Sequence, residues 1–141
     1  MLLNILPPDS EKLHHTIKHL ADPKHLWTPY GLRSLSTQAP LYNSRNTEHD
    51  PPYWRGPIWI NINFLALKAL KMYSTDMGPN GHLALTTHKK LKKAVTENVM
   101  REYWRTGYIW EQYNDITGEG KGCRPFTGWS SLVVLIMSEE Y

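Results

Sequence analysis

The chain has 141 residues, 40% of them hydrophobic and 21% charged, the proportions of one ordinary folded domain. One cysteine, Cys123, excludes an intrachain disulfide, and no apolar run approaches the ~20 residues that span a bilayer as a helix. A net charge of +3 with a pI near 9.0 raises nucleic acid as a partner only where basic residues gather among aromatic ones.

In chain order, Met1–Leu6 lacks the basic start and long apolar run of a signal peptide, so these residues provide no secretory route of their own. Pro7-Pro8-Asp9-Ser10 is a stop followed by an N-cap. Leu13, Ile17 and Leu20 then recur at helical spacing, which predicts a short amphipathic helix ending by Asp22-Pro23. His15 and His19 share a face of it, but no clustered carboxylate or thiol completes a metal site, so they and His14 and His25 are read as solvated. From Gly31 to Pro57 the chain is polar and irregular, longer than a compact domain ordinarily leaves without a role. Its end, Glu48-His49-Asp50 and then Tyr53-Trp54-Arg55, gives that role a chemistry of charge and aromatic surface.

Pro57 suits a helix start, and Ile58 to Tyr73 is apolar almost all round, which predicts a helix buried on more than one side. Arg55, Trp59 and Asn63 follow at four-residue spacing on its first turn, where either substrate-facing groups or a core Trp59 and a backbone-satisfying Asn63 fit. Met77–Gly81 reads as a turn, and Leu83 to Trp104 as a second long helix closed by Gly107. Lys89, Lys90, Lys92 and Lys93 fall on one arc of that helix, opposite Leu91 and Val95, with no aromatic residue among them. They are a solvated face and not a nucleic-acid surface. Trp129 to Met137 reads as a final apolar helix, although its β-branched residues also suit a strand.

Between these last helices lies Trp110-Glu111-Gln112-Tyr113 and a loop with four glycines from Gly118 to Gly128. A carboxylate set among indole and phenol rings matches a polyol, whose C–H faces rest on rings and whose hydroxyls need polar partners. Six Trp and eight Tyr against two Phe point the same way, toward a wet cleft. Gly118–Gly122 lacks the ending of a phosphate-binding P-loop and no strand precedes it.

This stretch, with Tyr53-Trp54-Arg55-Gly56-Pro57-Ile58-Trp59, Leu26–Leu35 and Glu48–Arg55, resembles the C-terminal part of the eukaryotic processing α-glucosidase I family, the mannosyl-oligosaccharide glucosidases. The resemblance runs from Leu2 to Tyr141 and covers only the end of the longer family enzyme. It implies an all-α fold, the C-terminal portion of an (α/α)6 toroid with long aromatic-rich loops, so that residues 1–141 form part of one catalytic domain whose N-terminal side lies elsewhere. The helix from Ile58 would be buried and that from Leu83 an outer one, and four helices, roughly a third of such a ring, would leave an apolar seam.

The resemblance further implies inverting hydrolysis of the terminal α-1,2-linked glucose of the N-glycan precursor in the endoplasmic reticulum. Glu111 takes the position of the general base, while the general acid, an aspartate, matches none of the 13 acidic residues here. Asp115 and Glu119 read as polar lining. Substrate contact is expected from Tyr53, Trp54, Arg55, Trp59, Trp110 and Trp129, with Arg55 donating to hydroxyls or holding a catalytic carboxylate. No metal or cofactor is expected, since two carboxyl groups and water suffice. The expected partners are a glucosylated high-mannose N-glycan and the rest of the same domain. The alternative is a carbohydrate-binding or structural fragment without turnover.

Overall fold

A computed structural model describes residues 5–138, so part of the Met1–Leu6 stretch discussed above lies outside the described residues. Four helices carry the structure: α1, Glu11–Leu20; α2, Ile60–Tyr73; α3, Pro79–Thr106; and α4, Leu132–Ser138. Two antiparallel pairs of two-residue strands punctuate the connections. β1 (Trp27–Thr28) pairs with β2 (Gly31–Leu32), and β3 (Gln112–Tyr113) with β4 (Gly120–Lys121).

α1 starts where Ser10 accepts the Leu13 amide in its hydroxyl, and it buries Leu13, Ile17 and Leu20, as their spacing predicts. α3 begins earlier than the sequence reading: Pro79 occupies its first turn, where no intrahelical N–H is needed, so Pro79–Gly81 belong to the helix instead of the turn. It ends at Gly107, whose φ of 78° is the left-handed conformation that closes helices. Lys89, Lys90 and Lys93 are exposed along it and Leu91 and Val95 buried. The last segment is helical, a 3-10 turn at Trp129–Ser131 running into α4.

α2 departs from expectation at its start. It begins at Ile60, because Ile58 is drawn into extended pairing with Arg33 and Tyr113, and Trp59 caps the helix in an extended conformation. Long-range backbone hydrogen bonds here prevail over the helix-starting tendency of Pro57. One apolar strip of α2 also stays open: Ile62, Leu65 and Met72 are 40, 41 and 36% exposed, and no described element covers them.

The core joins Leu13 and Ile17 of α1, Leu67 and Leu70 of α2, Leu91, Val95 and Val99 of α3, and Val133 and Ile136 of α4. Asn63 stitches the long connection onto it. Its amide oxygen accepts the Leu32 N–H at 2.7 Å and its nitrogen donates to the Leu32 and Trp59 carbonyls at 3.0 and 2.8 Å. Asn63 is fully buried, so it satisfies backbone and faces no substrate. Among the described residues no helix is long and apolar enough to cross a membrane.

Candidate active site

Gly107 turns the chain out of α3 and into β3, and Glu111 arrives in the interior at the foot of that hairpin. Its register is set by Tyr113, which exchanges two backbone hydrogen bonds with Ile58 at 2.8 and 2.9 Å. Glu111 is 7% exposed and every polar atom it carries is engaged. The Tyr53 hydroxyl donates to Oε1, and the Cys123 amide donates to Oε2 at 3.0 Å. Its own amide donates to the Cys123 carbonyl at 3.1 Å. Its carbonyl accepts from Trp129 Nε1 at 2.8 Å and from the Ser130 hydroxyl at 3.2 Å. Gly122, at φ 76°, makes this closure possible, because a Cβ there would overlap the Glu111 carboxylate.

These donors set the charge state. Burial raises the Glu111 carboxyl, but the Tyr53 hydroxyl and the Cys123 amide and thiol outweigh it and hold the group below the usual carboxylate range. The same bond, with burial, pushes the Tyr53 phenol up to about 12. Glu111 is therefore ionised at neutral pH, the state a general base must be in, and is unsuited to giving a proton.

Tyr53 also opens the aromatic wall. Trp54 stacks on Trp59 with centroids 3.7 Å apart and planes 11° from parallel, Tyr53 meets Trp59 edge-on at 4.7 Å, and Trp129 leans on Trp59 at 5.4 Å. Trp54 is 43% exposed and Trp59 not at all. The open ring face belongs to Trp54, with Trp59 as its backing, so Trp59 is a core residue that cannot touch a ligand in this arrangement. Its Nε1 has no hydrogen-bond partner among the described residues.

Two further residues are placed differently from expectation. Trp110 donates from Nε1 to the Thr106 hydroxyl at 3.1 Å, lies so close to Gly120 that a Cβ there would fall within its ring, and carries the Arg124 guanidinium 4.8 Å from its centroid. These contacts hold the hairpin, and the ring remains half-buried. Arg55 donates to the Ser44 hydroxyl and the Arg45 carbonyl at 3.2 and 3.0 Å, folding the long connection back on itself, and binds no carboxylate among the described residues. Of the six residues expected beside Glu111, the structure thus gathers Tyr53, Trp54 and Trp129 around it, places Trp59 behind them, and puts Trp110 and Arg55 in supporting contacts.

The carboxylate-binding arginines are others. Arg33 Nε lies 3.1 Å from Asp115 Oδ2, and the Tyr42 hydroxyl donates to the same oxygen at 2.6 Å. Asp115 is 9% exposed and so part of the structure's interior, not a flexible lining group. Arg105 forks onto Glu102 with contacts of 3.1 and 2.7 Å, and Glu102 also accepts the Gly120 amide at 3.0 Å. Spacing hides the Arg33–Asp115 pair, whose members stand 82 positions apart, whereas Glu102 and Arg105 are three apart on one helix.

Residues 1–139 match the family described as the glycosyl hydrolase family 63 C-terminal domain. A mannosyl-oligosaccharide glucosidase of Arabidopsis thaliana is 48% identical over 137 residues, which is 97% of this chain and 16% of that protein. The mannosyl-oligosaccharide glucosidase of Saccharomyces cerevisiae is 36% identical over 139 residues, 96% of this chain and 16% of that one. The chain thus spans about a sixth of the length of these relatives. Among solved structures, the GH63 mannosylglycerate hydrolase of Thermus thermophilus, determined in complex with glucose, aligns over 79% of this chain and 23% of its own. That alignment has a TM-score of 0.51 and 26% identity. The mostly helical architecture with small strand pairs agrees with a portion of an (α/α)6 toroid.

Proposed function

Since this chain belongs to the glycosyl hydrolase family 63 C-terminal domain family, we propose that it supplies the general base and one aromatic wall of a mannosyl-oligosaccharide glucosidase. The observation that carries this reading is Glu111, ionised between the Tyr53 hydroxyl and the Cys123 amide, with its partners Tyr53 and Trp129 both in ring contact with the half-exposed Trp54. The names of the relatives supply the substrate class, a glucosylated mannose oligosaccharide. The bond cleaved would be the terminal α-1,2-linked glucose of the N-glycan precursor, and the compartment where that substrate is processed the endoplasmic reticulum.

In this mechanism the terminal glucose lies with its C–H face on Trp54. Glu111 takes a proton from a water molecule, whose oxygen bonds to the anomeric carbon as the glycosidic C–O bond breaks on the opposite face. An acid from outside this chain protonates the departing oxygen. The other buried acids within reach of the hairpin are occupied, Asp115 by Arg33 and Glu102 by Arg105. Water must fit between acid and base, which sets their separation at ~6.5 to 9.5 Å. The open strip of Ile62, Leu65 and Met72 on α2 would be the seam against the rest of the toroid.

One other reading is compatible with the pairing of Asp115 and Glu102 among the described residues, a carbohydrate-binding segment without turnover. Glu111→Gln in the full-length protein separates the two. The substitution keeps shape and loses the proton acceptor, so turnover should fall by at least ~10²- to 10⁴-fold while calorimetry still shows oligosaccharide binding. Unchanged turnover would remove Glu111 from the role of base.

A further inference from the structure

We propose that Asp115 is a positioning residue for this reaction: by holding Tyr42 and Arg33 on one buried carboxylate oxygen, it fixes the arm 43–57 that presses Tyr53 against Glu111. The inference rests on the reading of Glu111 given above and adds to it the device that keeps its hydroxyl partner in place.

The arm that carries Tyr53 and Trp54 has no helix or strand of its own, and its apex, residues 45–51, is exposed and bonded only within the arm. Arg45 donates to the Glu48 carbonyl and Thr47 to Asp50, and these contacts leave the position of the arm relative to the hairpin open. Position is set at its base. At the outgoing end Ile58 pairs with Tyr113, two residues beyond Glu111. At the incoming end the Tyr42 hydroxyl is bound to Asp115, two residues beyond Tyr113. One short hairpin segment, 111–115, thus presents the base and grips both ends of the arm that delivers its hydrogen-bond donor.

The two limbs of the arm are closed on each other just above this grip. The Asn43 amide donates to the Arg55 carbonyl at 2.6 Å, and the Tyr42 ring lies against Gly56, where an added Cβ would stand 3.3 Å from it. Arg33 completes the clamp from behind, its Nη1 donating to the Pro23 and His25 carbonyls at 3.0 and 3.1 Å. The side chains of Arg33 and Asp115 are 10 and 11% exposed, so this pair is withdrawn from water and its geometry is held. Releasing Asp115 frees Tyr42 and the incoming limb, which leaves the Ser34 bonds to Gly56 and Pro57 and the packing of Tyr53 and Trp54 on Trp59 to hold Tyr53 at Oε1, and loosens its placement.

A kinetic mutant cycle in the full-length protein tests this. Asp115→Asn, Tyr42→Phe and Tyr53→Phe are made singly, and each of the first two is combined with the third. Turnover is measured on a glucosylated mannose oligosaccharide, with Glu111→Gln as control. Asp115→Asn should lower kcat by ~10- to 100-fold, the scale of a small misplacement at a reacting centre, with KM little changed. Its double variant with Tyr53→Phe should lose no more than the larger single loss, because both act through one hydroxyl. Tyr42→Phe removes one hydrogen bond and no charge, so it carries the same cycle should Asp115→Asn not fold. Multiplicative losses, or undiminished kcat in the single variants, overturn the proposal while leaving Glu111 as base. Full turnover of Glu111→Gln overturns the reading beneath it.

Discussion

Trp129 reaches Glu111 through the backbone: its indole N–H donates to the Glu111 carbonyl at 2.8 Å and not to the carboxylate. The sequence suggests a ring lying against sugar, and the structure gives it the prior task of fixing where the acid residue sits. Trp129→Phe keeps an aromatic face and removes only the donor, a net contribution of about 0.5 to 1.5 kcal/mol. The Ser130 hydroxyl still serves the same carbonyl, so the cost falls at the lower end. In the full-length protein kcat should drop several-fold, with KM little changed. A rise in KM alone would make the indole a sugar platform and nothing more.

Trp54 and Trp59 form one stack with two exposures, which predicts opposite phenotypes. Trp59→Ala opens a cavity in the core and should cost ~3 to 5 kcal/mol of stability. Trp54→Ala forfeits a half-exposed stacking partner, ~0.5 to 1.5 kcal/mol, and should instead weaken oligosaccharide binding. Thermal melts alongside calorimetric titration separate them, and equal thermal losses would place both rings in the core.

Much of the frame is written locally, and much of the site is not. Ser10, Gly107 and the spacing of Leu13, Ile17 and Leu20 define helix ends and faces from residues a few positions apart, so α1 and the end of α3 can be read directly. Glu111 stands out because aromatic residues flank it in sequence, although the groups that bind it, Tyr53, Cys123 and Trp129, come from elsewhere in the chain. The start of α2 is hidden, since it depends on Ile58 pairing with Tyr113 at a distance only the fold reveals. The same holds for Arg55, whose charge looks available for a ligand in the sequence, while in the fold Ser44 and the Arg45 carbonyl occupy it. Trp110 misleads for a related reason. An indole beside a candidate base looks like a sugar platform, yet Gly120 ten residues later leaves the gap that its ring fills.

The Tyr53–Glu111 bond carries a pH dependence of definite sign. Burial raises the Glu111 carboxyl, and Tyr53 is the largest of the contacts that lower it. Tyr53→Phe removes that donor, so the carboxyl rises. The base must be ionised to act, and the low-pH limb of kcat/KM should therefore move to higher pH in the variant, with the maximal rate also reduced. A limb that stays in place, or moves to lower pH, would mean that Tyr53 does not stabilise the ionised form.

The most direct test of Glu111 as the base of an inverting hydrolase is the configuration of the first-formed glucose, read by proton NMR before mutarotation. Water activated by Glu111 attacks the face opposite the leaving oxygen, so an α-linked substrate should release β-glucose. First appearance of the α-anomer, or a glucosyl adduct on Glu111, would make this carboxylate a nucleophile and contradict the account.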